Sequence, residues 1–236
     1  MKSTLLLRLC GPMQSWGTQS RFIYRDTERE PSKSGVIGLL CAALGKPRVE
    51  VAGDGKPTLA QLAGLRMGVR ADREGNLECD YQTAENVAEA HGKGRRTVQS
   101  WRSYLADADF LVGLEGDRRL LEKLDRALAS PVWHLFLGRK SLVPAIPVRL
   151  PNQPPWGPGL SDEVLETALR AIPWHGRPGE LPPAQLRFIV EDTSGASAEV
   201  RNDVPRSFDV RAFAPRGVST QFVDFKEVAG PCGSLV

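Results

Sequence analysis

Pro31 to Leu44 reads PSKSGVIGLLCAAL, and this stretch anchors the chain's fold class. Ser32 is a helix N-cap residue, and Val36, Ile37, Leu40, Ala43 and Leu44 recur at the spacing of one helical face. Gly45 and Pro47 stop the run, because glycine accepts the left-handed cap conformation and proline cannot continue a helix. A helix is expected from Ser32 to about Leu44. Upstream, Thr4 to Cys10 alternates, with Leu5, Leu7 and Leu9 on one face, and reads as a strand. Between the two, Gly11 to Pro31 has no apolar period and reads as a long loop.

Downstream, strands are expected near Leu65–Arg70 and Leu77–Thr83. Glu85–Gln99 carries Gly92 and Gly94 among Lys93, Arg95 and Arg96, too polar a stretch to supply core. It is expected to project as a hairpin tip or a mobile loop. Phe110, Val112 and Leu114 resume the alternation. Asp117 caps a helix with the stripe Leu120, Leu121, Leu124 and Leu128, ended by Pro131, and Trp133–Leu137 reads as a further strand. The order β-α-β-β-(projection)-β-α-β predicts an α+β chain: a ferredoxin-like domain over residues 1–150 with an elongated β-hairpin inserted near 80–104. Pro144–Pro158 reads as a linker or surface strap. A helix from Ser161 to about Ile172, with strands at Leu186–Val190, near Arg211 and near Phe222, makes residues 151–236 a small C-terminal α+β subdomain.

A hydrophobic fraction of 41% with 25% charged residues is ordinary for a soluble globular chain of 236 residues, so composition excludes disorder. The net charge of +3 decides nothing alone; an acidic partner must show itself in clustered charge. No apolar run approaches the ~18 residues that span a bilayer. No targeting segment is expected at the start. Cys10, Cys41, Cys79 and Cys232 form no C-x-x-C pair, and a reduced, cytoplasmic protein is expected.

Enzyme motifs fail on inspection. Lys33-Ser34 follows Pro31-Ser32 where a nucleotide-binding loop needs glycine, and no G-x-S-x-G elbow occurs. His91, His134 and His175 lack metal-ligand spacing, and no carboxylate pair is placed for acid–base work. No catalytic residue, metal or cofactor is expected. Binding features are better developed. Between Gln14 and Arg29 lie Trp16, Arg21, Phe22, Tyr24, Arg25 and Arg29. Such aromatics stack on bases and such arginines fork onto phosphate, or else the rings tuck into the core and the cations are merely solvated. From these residues alone both readings stay open. In Pro31-Ser32-Lys33-Ser34-Gly35, a helix N-terminus, a lysine, two hydroxyls and a glycine make a candidate anion site. The main phosphate grip is therefore expected between Gly11 and Gly38. His91, Lys93, Arg95 and Arg96 on the projection, and Gly138-Arg139-Lys140-Ser141, are two further cationic groups. Together these clusters favour RNA or single-stranded nucleic acid over a small molecule.

The same segments carry a resemblance. Leu5-Leu6-Leu7-Arg8-Leu9, Gly11-Pro12-Met13-Gln14-Ser15-Trp16-Gly17 and Pro31 to Leu40 come first. Asp80-Tyr81-Gln82-Thr83-Ala84, Tyr104 to Phe110, Leu137 to Ser141 and Asp203 to Phe208 follow in order. This series resembles the CasD family of type I-E CRISPR Cascade subunits, in the RAMP superfamily. The resemblance implies an RRM-like fold with a protruding thumb and a non-catalytic subunit of an antiviral surveillance complex that caps the 5′ repeat-derived handle of the crRNA. It implies the backbone subunit against the thumb, the large PAM-reading subunit nearby, target DNA at most indirectly, and no membrane. The RNA-binding residues it suggests are Gln14, Trp16, Gly17, Ser20, Arg21, Arg25, Lys33, Ser34, Tyr81, Lys93, Arg95, Arg96, Arg102, Arg139 and Lys140. A related type I-C branch processes precursor crRNA with a Tyr, Lys and His set. The rival expectation is thus a metal-independent endoribonuclease using His91, Lys93 and Tyr81 or Tyr24, although His91 and Lys93 are not adjacent as in that branch, and Gln82 replaces a common His.

Overall fold

The computed structural model describes residues 2–20, 23–51, 53–92, 94–177, 179–195 and 199–228. In chain order they form β1 (Lys2–Cys10), β2 (Met13–Gln14), β3 (Tyr24–Arg25), α1 (Lys33–Leu44), α2 (Leu59–Ala63), β4 (Arg66–Arg73), β5 (Asn76–Ala88) and β6 (Arg95–Ala106). Then come β7 (Asp109–Asp117), α3 (Arg118–Ala129), β8 (Leu160–Ser161), α4 (Leu165–Ala171), β9 (Gln185–Glu191), β10 (Glu199–Ser207) and β11 (Ala212–Asp224). One seven-stranded antiparallel sheet runs β10-β11-β9-β4-β7-β1-β8. The second sheet is built on β6, with β5 along one side and the short β2 and β3 along the other.

Both faces of the large sheet are covered. Leu5, Leu7 and Leu9 of β1 face a core shared with α1, α2 and α3, while Leu6 faces a second core built by α4, Trp174 and Phe188. That is why β1 is a nearly unbroken leucine run: a strand buried on both sides has no solvent face to keep polar. Ser32 caps α1 as expected, its side chain accepting from the Gly35 N–H. Gly45 ends the helix at φ 63°, a conformation that glycine adopts without a Cβ penalty. Asp117 caps α3, and Leu121, Leu124 and Leu128 are its buried stripe.

Several expectations change. Trp133–Leu137 is not a strand. The Val132 and Trp133 N–H groups donate to Ala43 O (3.0 Å) and Ala42 O (3.1 Å), so the start of the segment is tied to the last carbonyls of α1, of which Ala42 O also accepts from the Gly45 N–H. The edge of β1 is taken instead by the proline-rich strap. Ala145 N donates to Cys10 O, Arg8 N to Val148 O and Leu6 N to Gly159 O, and β8 continues the contact. Prolines deny this strap a continuous ladder, which confines it to an edge. The helix expected from Ser161 is shorter, because Ser161 already pairs with Thr4 in β8. The strands expected near Arg211 and near Phe222 are one strand, β11, which begins at Ala212, with Arg211 in the β10–β11 turn at φ 54°. The Gly11–Pro31 loop contributes β2 and β3, and the projection is a hairpin whose strands reach Ala88 and Arg95. Beyond residue 150 the chain stays with the large sheet, since β9 pairs with β4.

Candidate nucleic-acid interface

Three arginines converge from three separate segments. β3 lies parallel to β6 with Arg25 opposite Arg102, which fixes two of them in one cross-strand row. Arg139, in the turn after Leu137, donates through one guanidinium nitrogen to Ser103 O (2.8 Å), Arg25 O (3.1 Å) and Asp26 O (3.5 Å). It thereby ties that turn to the second sheet. Burial lowers the Arg139 pKa, and the charges of Arg102 and Arg25 push in the same direction. Among the described residues none of the three has a carboxylate at ion-pair distance. Arg102 Nε finds only Ser100 Oγ at 3.2 Å. The carboxylates of Asp26 and Asp80 act on Arg139 from beyond ion-pair distance, and Asp80 stands opposite Arg102 in the β5–β6 pairing. Three guanidinium groups held close without an ion pair can take up an anion from outside.

The row next to it is aromatic. Tyr24, Trp101 and Tyr81 are directly opposed across β3, β6 and β5, with Tyr24 stacked on Trp101 at 5.3 Å and Tyr81 tilted against it at 5.2 Å. Adjacent rows in a sheet point to opposite faces, so the hairpin base carries Arg25, Arg102 and Asp80 on one side and the rings on the other. Trp101 was missed by the sequence reading: its value depends on which residues pair with it, and nothing local encodes that.

Beside the arginines lies a cleft of about 290 Å³. Trp16, Gly17, Ser20, Arg25, Ser34 and Arg139 line it, which brings together six of the expected site residues, Trp16 only as part of the buried wall. Gly17 packs so close to Asp26 that a Cβ would come within 2.6 Å of Asp26 O, and Ser20 Oγ is held by the Asp26 carboxylate. Lys140 stands exposed next to Arg139.

Three expected contacts are buried inside the protein. Gln14 is fully buried, donating to Leu9 O and Ala108 O and accepting from Trp16 Nε1 at 3.1 Å. Trp16 is 1% exposed and packs against Gly35, so its ring is core and faces no solvent. Lys33 is also 1% exposed. Its Nζ is held by both Glu191 carboxylate oxygens at 2.9 and 2.8 Å, and its backbone N–H donates to Asp203 Oδ2 at 2.7 Å. Burial lowers the Lys33 pKa while Glu191 pulls it back up. Arg216 in turn fixes Asp203, through bonds of 2.7 and 3.0 Å. The anion at the start of α1 is therefore a carboxylate of this chain itself. Tyr81 belongs to the aromatic row. Arg95 and Arg96 are exposed at the far end of β6, about 20 Å from Arg102 at ~3.3 Å per residue. Arg21, Phe22, Lys93 and Cys232 lie outside the described residues. No helix among the described residues is long and apolar enough to cross a membrane.

Fold and site together define a mixed α+β protein with large antiparallel sheets that presents a cluster of three arginines beside an open cleft. The chain belongs to the CRISPR-associated protein (Cas_Cas5) family, whose model matches residues 4–219. It is 36% identical over 155 residues to the CRISPR system Cascade subunit CasD of Escherichia coli (strain K12), covering 60% of this chain and 67% of that one. Among solved structures it resembles one described as a crystal structure of a Cas protein, with a TM-score of 0.74 and 42% identity over 96% of this chain and 97% of the other. A chain of a CRISPR RNA-guided surveillance complex also matches, with a TM-score of 0.72 and 32% identity over 98% of this chain and 95% of the other.

Proposed function

We propose that this chain is a non-catalytic, cytoplasmic subunit of a CRISPR RNA-guided surveillance complex that holds the 5′ repeat-derived handle of the crRNA. The observation that carries the reading is the trio Arg25, Arg102 and Arg139, convergent and without carboxylate partners among the described residues. Phosphate supplies the close ion pairs that these arginines lack, and the open cleft admits a flexible strand. The antiparallel order β4-β7-β1-β8, with α1 and α3 on one face, supports the ferredoxin-like plan, with β8 and the strap in the position of its last strand. The β5–β6 hairpin is the thumb. Its aromatic row and cationic tip face the neighbouring backbone subunit or the RNA beside it, and the large PAM-reading subunit docks near the handle.

The test is binding of labelled repeat RNA by the full chain across a salt series. Each phosphate contact contributes roughly 0.7 to the slope of log K against log salt for a single strand. Arg25→Ala and Arg102→Ala should each flatten that slope by about this amount. Unchanged slopes would sink the reading. Incubation in EDTA should leave the RNA intact; cleavage abolished by His91→Ala would favour the endoribonuclease instead.

A further inference from the structure

The cleft beside the arginines does not end at Ser34. It continues along α1 into a groove of about 530 Å³, walled by Gly38, Leu39, Trp133, His134 and Phe136. A third cleft of about 190 Å³, with Arg48 and Arg206 in its lining, lies beyond. Phe208 lines all three. The result is one path with cations at each end and aromatic and aliphatic groups around Gly38 and Phe208, Lys46 and Arg48 reaching the middle groove from its far end. Among the described residues neither Arg48 nor Arg206 has a carboxylate at ion-pair distance. The carboxylates nearby are Asp26, Glu50 and Asp209. Asp26 is engaged by Ser20 and the Gln19 N–H, and Glu50 by Lys46 Nζ at 2.8 Å.

The two glycines facing this path differ in a telling way. A Cβ on Gly35 would come within 2.8 Å of the Trp16 ring, so packing alone demands glycine there. A Cβ on Gly38 would meet only the Phe208 ring, at 3.9 Å, an ordinary contact. Gly38 sits inside α1, where glycine lowers helix stability relative to alanine. No neighbour requires the sacrifice, and what the missing side chain preserves is open space opposite Phe208.

We propose that the groove between Gly38 and Phe208 is a base-binding subsite, taking one unstacked nucleobase of a single-stranded RNA whose flanking phosphates lie on Arg25 and Arg139 at one end and on Arg48 and Arg206 at the other. This rests on the RNA-holding reading above and names what lies beyond its phosphate grip. Cations at both ends with an apolar centre match the alternation of a nucleotide chain, since a base lies between two phosphates and stacks on an aromatic ring whatever its identity.

The test compares the full chain's affinity for octamers of uridylate, adenylate and cytidylate with its affinity for an abasic ribose-phosphate octamer of equal charge. At least one base-bearing octamer should bind about ten-fold more tightly than the abasic one, the effect of a single stacked base. Phe208→Ala removes the stacking ring and Gly38→Leu fills the space; both should bring that ratio towards one. Gly38→Leu keeps the test decisive should Phe208→Ala fail to fold. A ratio of one in the unaltered protein, or a ratio that survives both substitutions, overturns the subsite. If abasic binding is then still salt-sensitive and weakened by Arg25→Ala, the phosphate grip stands without it. Failure to bind any of the octamers overturns both.

Discussion

At the residue scale, side-chain type and side-chain placement part company. Trp16 has the chemistry of a base-stacking residue and the position of a core residue. Its removal should cost about 3–5 kcal/mol of stability, as for other buried aromatics, measurable by denaturant unfolding of Trp16→Ala. Lys33 has the chemistry of a phosphate anchor, but Glu191 holds its ammonium in the interior. Lys33→Ala leaves Glu191 without its lysine and should destabilise by roughly 3–5 kcal/mol, the cost of breaking a buried pair. The same variant should leave the salt slope of RNA binding unchanged, in contrast to Arg25→Ala. A flattened slope would return Lys33 to the interface.

At the element scale, α1 does two jobs on two sides. Its buried side welds it to α3 and the large sheet, and the side bearing Ser34 and Gly38 walls the clefts. Gly38→Ala should therefore raise thermal stability by about 0.5–1 kcal/mol, the helix-interior difference between the two residues. Gly35→Ala should lower it, because the new methyl group meets Trp16. Thermal unfolding of the two variants side by side checks both signs. The hairpin behaves differently: from Asn76 to Ala88 its strand is half-buried at most, so its geometry comes from cross-strand pairing rather than a core.

At the scale of the whole molecule, buried charge joins the two halves of the chain. Arg70 is fully buried, bonded to Asp72 and to the carbonyls of Leu169, Ile172 and Pro173. His175 Nδ1 lies 2.8 Å from Asp72, and Trp156 of the strap stacks on its ring at 4.3 Å. Burial lowers the His175 pKa, against the pull of Asp72, so the ring is neutral at pH 7 and Nδ1–H is the donor. Burial opposes ionisation of Asp72, yet Arg70 and His175 prevail and its pKa is lowered. Both groups are protonated less readily folded than unfolded. Stability should therefore fall as pH drops below about 6.5, the ordinary histidine value, and fall again below about 4 as Asp72 is reached. His175→Gln should flatten the first of these steps in an unfolding series from pH 7 to 5; a slope that persists would place it on other groups. The chain's second half also completes the sheet of its first. A fragment of residues 1–150 would expose the β4 edge and strip Lys33 of Glu191 and Asp203, and should not unfold cooperatively in a melt.

Local chemistry made much of this legible in advance. Ser32 and Asp117 as caps, Gly45 as a stop, and the leucine stripe of α3 are properties of short stretches, and a chain carries them wherever it goes. The resemblance of ordered segments, from Leu5 to Phe208, marked the family for the same reason: it is a property of the chain itself. What the sequence could not decide was partnership at a distance. The proline-rich strap took the edge of β1, while Val132 and Trp133 bonded to the end of α1 and Leu137 to Ser15, all of them backbone hydrogen bonds between distant stretches. Lys33 met Glu191 and Asp203, more than 150 residues away, and was withdrawn from the surface. Arg25 and Arg139 line the cleft with Arg102 beside them, and among the described residues none of the three has a carboxylate at ion-pair distance. Which cations are spent inside the protein and which remain for a partner is set by what the tertiary fold places beside each of them.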